Sequence, residues 1–350
     1  MRQPPQLPSD THADLAAAAE RFRGTPAAKL LEHPLARCIA HNGLAFYYYD
    51  PQGKRRTLKG FHNAYDNIMT AGRRPVNAEE RSRMGLDRTA GATQDAMVGG
   101  RRWSEREVGK PGPKRGELVH NQIEYYMRHG MPALVRAVGG QHNLHPFTHE
   151  FASVLEANGL VEPVFAELPI FDPLAGVGTA IDGLVLVRDH EGGPQRLGLL
   201  EIKTGHQSSS EKSIFNRANY CIESSGGGRL YLTECIRAQM QLVFAMDVLR
   251  RFYQIEIRPE DCMVFHLVNA VPTSVVEYPL CADISGPVGR ALLQRLQPIA
   301  EARKAASRSA SRGRGRKKTV PKAGTRRAGM LPAPKRRRRY RARGRGRGAK

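Results

Sequence analysis

The clearest patterning of apolar and polar positions lies in the middle of the chain. TAIDGLVLVRD (179–189) and RLGLLEIKTG (196–205) are rich in branched apolar residues and flank HEGGPQ, a turn by composition. Together they predict a β-hairpin. Upstream, PVFAELPIF (163–171) predicts a strand. ELVHNQIEYYMRHG (117–130) predicts a helix, with Leu118, Val119, Ile123, Tyr126 and Met127 at helical spacing and a glycine at its stop. Downstream, LTECIRAQMQLVFAMDVLRRF (232–252) is long and apolar enough for a buried helix. CMVFHLVNA (262–270) and SVVEYPL (274–280) predict late strands, and GRALLQRLQPIAEARKAA (289–306) a closing helix. The order helix–strand–strand–strand–helix–strand predicts an α/β fold with a mixed sheet flanked by helices.

The flanks are less regular. Residues 1–10 are Pro-rich, and 11–23 predict a short Ala-rich helix. LAFYYYD (44–50), PQG and KRRTLKG (54–60) predict a second hairpin. Residues 71–116 are polar, rich in Arg and Gly, and expected to be irregular; 206–230 are Ser/Gly-rich and expected to form a mobile loop. The resulting division is an N-terminal accessory region and linker over 1–109, the main domain over 110–301, and a tail over 302–350.

Charge separates the tail from the body. Of 55 Lys and Arg residues, 21 fall in 302–350, which has no Asp or Glu; residues 1–301 keep 34 basic against 33 acidic. The net charge of +22 therefore belongs almost wholly to an appendage. RGRGRKK (312–318) and KRRRRYRARGRGRG (335–348), with Arg336, Arg337, Arg338 and Arg339, are too charged to fold alone. They predict a disordered segment that binds nucleic acid, directs nuclear import, or both. The five cysteines form no CxxC pair, which points to reduced thiols inside a cell. No run of 18 apolar residues exists, so no transmembrane helix or membrane partner is expected. The N-terminus lacks an apolar signal core, and Asp10, Asp14 and Glu20 argue against a mitochondrial presequence. The nucleus (a host nucleus if the source is viral) is the expected location, ahead of the mitochondrion.

The central hairpin carries the candidate chemistry. If Arg188 pairs with Gln195, Asp182 falls opposite Glu201, and directly opposed residues share a face with Cβ atoms about 4.5–5.5 Å apart. Lys203, two residues on, shares that face. Two carboxylates so placed suit Mg²⁺, with Mn²⁺ as a substitute. Such an ion polarises a phosphate and acidifies bound water, while an ammonium stabilises developing charge. Leu199, Leu200 and Ile202 flank these charges, so the strand reads as buried, and buried charges need partners or a task.

GTAIDGLVLV followed by LLEIKTG resembles the PD-(D/E)XK nuclease superfamily in its RecB-like exonuclease branch, which includes the mitochondrial genome maintenance exonuclease. Gly116, His120 and Glu124 match that branch's G-x3-H-x3-E helix, Glu167 sits where an acidic residue often precedes the Asp strand, and Gln241 matches the glutamine of its Q-x3-Y helix. Two positions depart from the pattern: Ile181 replaces the usual proline, and Ala245 replaces the tyrosine. The cysteine spacings do not fit the iron–sulfur cluster of some relatives, so none is expected.

The resemblance implies a restriction-endonuclease-like fold and metal-dependent hydrolysis of DNA, single-stranded or with free ends, in replication, recombination or repair. Asp182, Glu201 and the backbone carbonyl of Ile202 would hold the metal, His120 would add to that shell, and Lys203 would align the attacking water. Glu124, Glu167 and Gln241 would support the site. Arg237, one turn before Gln241, is either a phosphate contact or an ordinary surface arginine. Gln241 is either a substrate contact or a buried amide bonded to the sheet. The aromatic run Phe46–Tyr49 with Lys54, Arg55 and Arg56 either stacks bases or packs on the core. An exonuclease is favoured; an endonuclease or junction resolvase of the same fold and a non-catalytic basic DNA-binding or packaging protein are the alternatives.

Overall fold

A computed structural model describes residues 11–41, 46–50, 54–70, 74–83, 96–98, 101–103, 112–204, 220–223, 229–268 and 274–294. The helices used below are α1 (Thr11–Arg21), α2 (Pro26–Leu31), α3 (Phe61–Thr70), α4 (Gly112–His129), α5 (Pro146–Ala157), α6 (Glu234–Val248) and α7 (Pro287–Gln294). The strands are β1 (Phe46–Tyr49), β2 (Arg55–Thr57), β3 (Lys59–Gly60), β4 (Val161–Phe165), β5 (Leu168–Asp172), β6 (Val177–Ile181), β7 (Gly183–Val187), β8 (Arg196–Thr204), β9 (Cys262–Val268) and β10 (Ser274–Pro279).

The protein is mixed α/β. Its main sheet has the order β10-β9-β8-β7-β4, with β8 and β9 parallel and every other pairing antiparallel. Alternation along the strands divides the core in two. Leu184, Leu186, Leu197, Leu199 and Val264 pack with α1, α2 and α6, whereas Val185, Leu200, Ile202, Phe265 and Leu267 pack with α4 and α5. Helices therefore cover both faces, as a sheet with two apolar sides requires. Helix α6 starts where the Thr233 side chain accepts from the amide of Ile236, an N-cap that fixes its first turn against the sheet.

A second sheet, β3-β6-β5, continues the first. The sequence suggests one strand over 163–171 and another over 179–189; each is interrupted. Strand β4 pairs with β7 and β5 pairs with β6, with the breaks at Ala166–Glu167 and at Asp182. Glu167 has a φ of 55°, a left-handed backbone that rotates the chain out of one sheet and into the next. Apolar patterning cannot reveal such a bend, because both halves of each strand stay buried.

Other expectations also shift. Helix α4 begins at Gly112 rather than 117. The expected loop over 206–230 contains the paired strands Tyr220–Glu223 and Arg229–Tyr231, the first also pairing with Arg74–Pro75. Within 71–116, expected to be irregular, Ala96–Val98 pairs with Arg101–Trp103. The closing helix is described only as α7, and the rest of that expectation, with the tail, lies outside the described residues. The N-terminal helices are no peripheral addition: Leu15, Phe22, Leu30 and Leu31 are buried in the same core as β7, β8 and α6. The two hairpins, α1, α6 and the late strands form as the pattern suggests. No helix among the described residues is long and apolar enough to cross a membrane.

Candidate metal centre

The β7–β8 register is the one expected, running from Val187 opposite Arg196 to Gly183 opposite Leu200. One position further, Asp182 faces Glu201. On its other side, Ile181 pairs with Leu168 and Leu184 with Phe165, so Asp182 also faces Glu167. Three carboxylates thus lie abreast on adjacent strands, at the level where the ribbon bends. Asp182 is pinned by its own strand neighbour: Oδ2 accepts from the amide of Ile202 at 2.8 Å.

Helix α4 delivers the fourth group. His120 Nδ1 lies 3.9 Å from Glu167 Oε1. One ligand atom each from His120, Glu167 and Asp182 falls within 4.8 Å of the others. Gly116, one turn earlier on the same face, permits this approach, because a Cβ there would come within 3.2 Å of Thr204 Oγ1 at the end of β8.

Glu201 lies outside that trio. It is almost wholly buried, at 1% exposure, and the Lys203 ammonium donates to its Oε1. Burial, reinforced by the Asp182 charge, pushes the Glu201 carboxyl well above the ordinary carboxylate range, against the opposing pull of Lys203. Burial by itself would lower the Lys203 pKa, but Glu201 and Asp182 outweigh it and hold the ammonium charged. His120 behaves alike: burial favours neutral imidazole, yet the neighbouring Glu167 and Asp182 carboxylates raise its pKa overall. The raised values of Lys203 and His120 answer the same deficit of positive charge among the carboxylates, and a divalent cation would answer it as well. Two ligands of one small cation stand at most about 4.4 Å apart, given bond lengths of about 2.0–2.2 Å. The trio therefore fits such an ion after a closure of a few tenths of an ångström.

The remaining candidates take supporting or separate places. Glu124 bonds the Arg128 guanidinium at 2.8 Å. Gln241 donates from Nε2 to the Ala180 carbonyl at 3.1 Å, so it is the amide bonded to the sheet; its buried Oε1 has no partner among the described residues. Arg237 pairs with Asp66 at 3.2 Å and Glu234 at 3.7 Å on the surface. Ile202 enters through its amide, and Arg336–Arg339 lie outside the described residues.

Two residues beside the candidate centre carry no clear signal in the sequence. Arg128, four residues after Glu124, donates to the carbonyl of Ala166 and pairs with Asp14 of α1 at 3.0 Å. The i,i+4 spacing with Glu124 was a usable signal for half of this arrangement; nothing in the sequence points to Asp14. His62 on α3 faces the same charges, and burial, then Lys203 and Arg237, keep its imidazole neutral more readily than usual.

Comparison with protein-family models and with curated proteins gives no match to this chain.

Proposed function

We propose that this chain is a divalent-metal-dependent deoxyribonuclease of the PD-(D/E)XK superfamily, RecB-like in its motif order and restriction-endonuclease-like in its fold. The observation that carries the proposal is the row Glu167–Asp182–Glu201 across three adjacent strands, closed by His120 and flanked by Lys203. The sheet order and the placement of α4 and α6 on opposite faces agree with it. His120, Glu167 and Asp182 would hold the ion, with Glu201 and the Ile202 carbonyl beside it. Bound there, Mg²⁺ or Mn²⁺ would polarise the phosphate and acidify a water.

The chain's own residues supply the rest. Lys203, charged and fixed by Glu201, orients the incoming water and offsets negative charge as the phosphorus–oxygen bond breaks. Asp182 is oriented in advance by the Ile202 amide, so little rearrangement is needed at the moment of reaction. Glu124 and Arg128 hold the bend that presents Glu167. The cationic tail adds sequence-independent attraction for long DNA and a nuclear address.

Activity on ends is the favoured mode, with an endonuclease or junction resolvase as the alternative. Purified protein on end-labelled linear and covalently closed circular DNA, with Mg²⁺, Mn²⁺ or EDTA, tests both levels. Metal-dependent loss of linear label with circles intact is expected. Nicked circles would move the proposal to an endonuclease, and no hydrolysis in either metal would overturn it.

A further inference from the structure

The β1–β2 hairpin keeps aromatic rings on its outside. Its register sets Tyr47 opposite Thr57, Tyr48 opposite Arg56 and Tyr49 opposite Arg55, so alternate tyrosines turn to opposite faces. Tyr48 turns inward and stacks on Phe171, with ring centroids 4.7 Å apart. Phe46 also faces the protein, close enough that a Cβ on Gly178 would stand 3.2 Å from it. Tyr47 and Tyr49 lie on the other face, edge to face at 6.2 Å, and the Arg55 guanidinium lies 5.4 Å over the Tyr47 ring. Tyr49 is 51% exposed, one of two large apolar side chains so open among the described residues. Arg55 is exposed beside it on the same face, whereas Arg56, also exposed, shares the face of Tyr48 and is tied to Asp50 at 2.9 Å.

Core packing accounts for Phe46 and Tyr48 and leaves Tyr47, Tyr49 and Arg55 unexplained. We propose that these three residues form a stacking platform for single-stranded nucleic acid, feeding the candidate metal centre. The proposal rests on the nuclease reading for its purpose but not for its chemistry. Two rings and a stacked guanidinium match the π-faces of unpaired bases, and the adjacent cations match their phosphates. In a duplex those faces are covered by neighbouring bases, so the platform selects single strands.

The hairpin is wired to the site. Strand β2 runs on into β3, which pairs in parallel with β6 from Val177, and β6 leads to Asp182. At about 3.3 Å per residue, plus about 4.8 Å for the step across from Lys59 to Val177, the path from Arg55 to Asp182 is at most about 35 Å. An extended single strand of ordinary length can therefore touch both places at once.

The test uses the full-length chain in EDTA, with a fluorescent single-stranded 30-mer carrying a base analogue that is quenched on stacking, and a duplex of the same length. Tyr49→Ala should weaken single-strand binding about fivefold. The double variant Tyr47→Ala/Tyr49→Ala should weaken it further and abolish the quench, with duplex binding unchanged. Tyr47→Phe/Tyr49→Phe should behave as wild type, since the rings remain. If the double alanine variant melts early, the exposed Tyr49→Ala decides alone. Unchanged single-strand affinity and quench would overturn the platform. So would equal losses on duplex, or loss of binding to polyglutamate in place of DNA, which would assign the surface to an acidic protein. Adding Mg²⁺ separates the two readings. Stacking without hydrolysis removes the nuclease and keeps the platform, while hydrolysis without stacking does the reverse.

Discussion

The guanidinium of Arg128 donates twice to the carbonyl of Ala166, at 3.2 Å from Nε and 2.9 Å from Nη2. The next residue is Glu167, held at a φ of 55°, a region that suits few residues other than glycine. The same guanidinium reaches Asp14 and Glu124 and lies 4.5 Å over the Phe165 ring. One buried cation thus ties α1, α4 and the bend together.

Replacing Arg128 with Met should strand two partly buried carboxylates and one carbonyl. Losing one partner of a buried ion pair costs about 3–5 kcal/mol, so a loss near 3 kcal/mol is expected in urea unfolding. Arg128→Lys should recover only part, because an ammonium lacks the fork that serves three acceptors at once. Mn²⁺ affinity of any folded variant should also fall, since Glu167 loses its support. A loss below about 1 kcal/mol would show that the bend holds without its cation.

Lys203 and Glu201 should separate catalysis from stability. Lys203→Ala leaves Glu201 buried without its counter-charge, and should lower both stability and hydrolysis, the latter by on the order of 10²–10³. Glu201→Gln combined with Lys203→Met removes both charges. Stability should then return close to wild type while hydrolysis stays lost. DNA binding in EDTA should persist in every folded variant. Near wild-type rates in Lys203→Ala would displace this residue from the mechanism.

The metal should act as a replacement for protons, with a definite sign. His120 and Glu201 both have folded pKa values raised above their ordinary 6.5 and 4.5. Each contribution to stability is complete below the ordinary value and is lost as pH rises through the raised one. Metal-free protein should therefore lose these contributions above about pH 4.5 for Glu201 and about pH 6.5 for His120. Mn²⁺ competes with the same protons, so its stabilisation in thermal melts should be larger at pH 8 than at pH 5.5. His120→Ala should flatten that difference, weaken hydrolysis, and regain part of the rate with excess Mn²⁺. An equal metal effect at both pH values in wild type would remove His120 and Glu201 from the ion's surroundings.

Deleting residues 307–350 should leave hydrolysis of short oligonucleotides nearly intact and weaken binding to long DNA. The remaining body is close to neutral, with most of the +22 excess charge removed. Each phosphate neutralised contributes about −0.9 to the slope of log affinity against log salt on duplex DNA. Truncation should flatten that slope, and the same segment should carry a fused reporter to the nucleus. Equal slopes for the two proteins would mean that the tail makes no contact with DNA.

Much of the centre was legible because it sits on one turn. HEGGPQ sets the β7–β8 register, and register alone puts Asp182 opposite Glu201. Helix α6 was legible from its length and apolar content. The bends at Glu167 and Asp182 were not, because residues on both sides are buried and the β-pattern runs through unbroken. The role of α1 was hidden for another reason. An Ala-rich helix shows little of its partner, and Asp14 meets Arg128 across 114 positions that no local signal spans.

That separation sets a clock on synthesis. At roughly 5–20 residues per second, Asp14 leaves the ribosome about 6–23 s before Arg128 can meet it. Arg21 likewise waits for the carbonyl of Pro163, and Glu201 for its parallel neighbour Val264. The nascent chain therefore carries α1 without these partners until residues 128 and 163 have emerged, and β8 lacks its parallel neighbour until β9 follows. A fragment ending before Cys262 holds every candidate ligand and still lacks the strand that borders Glu201.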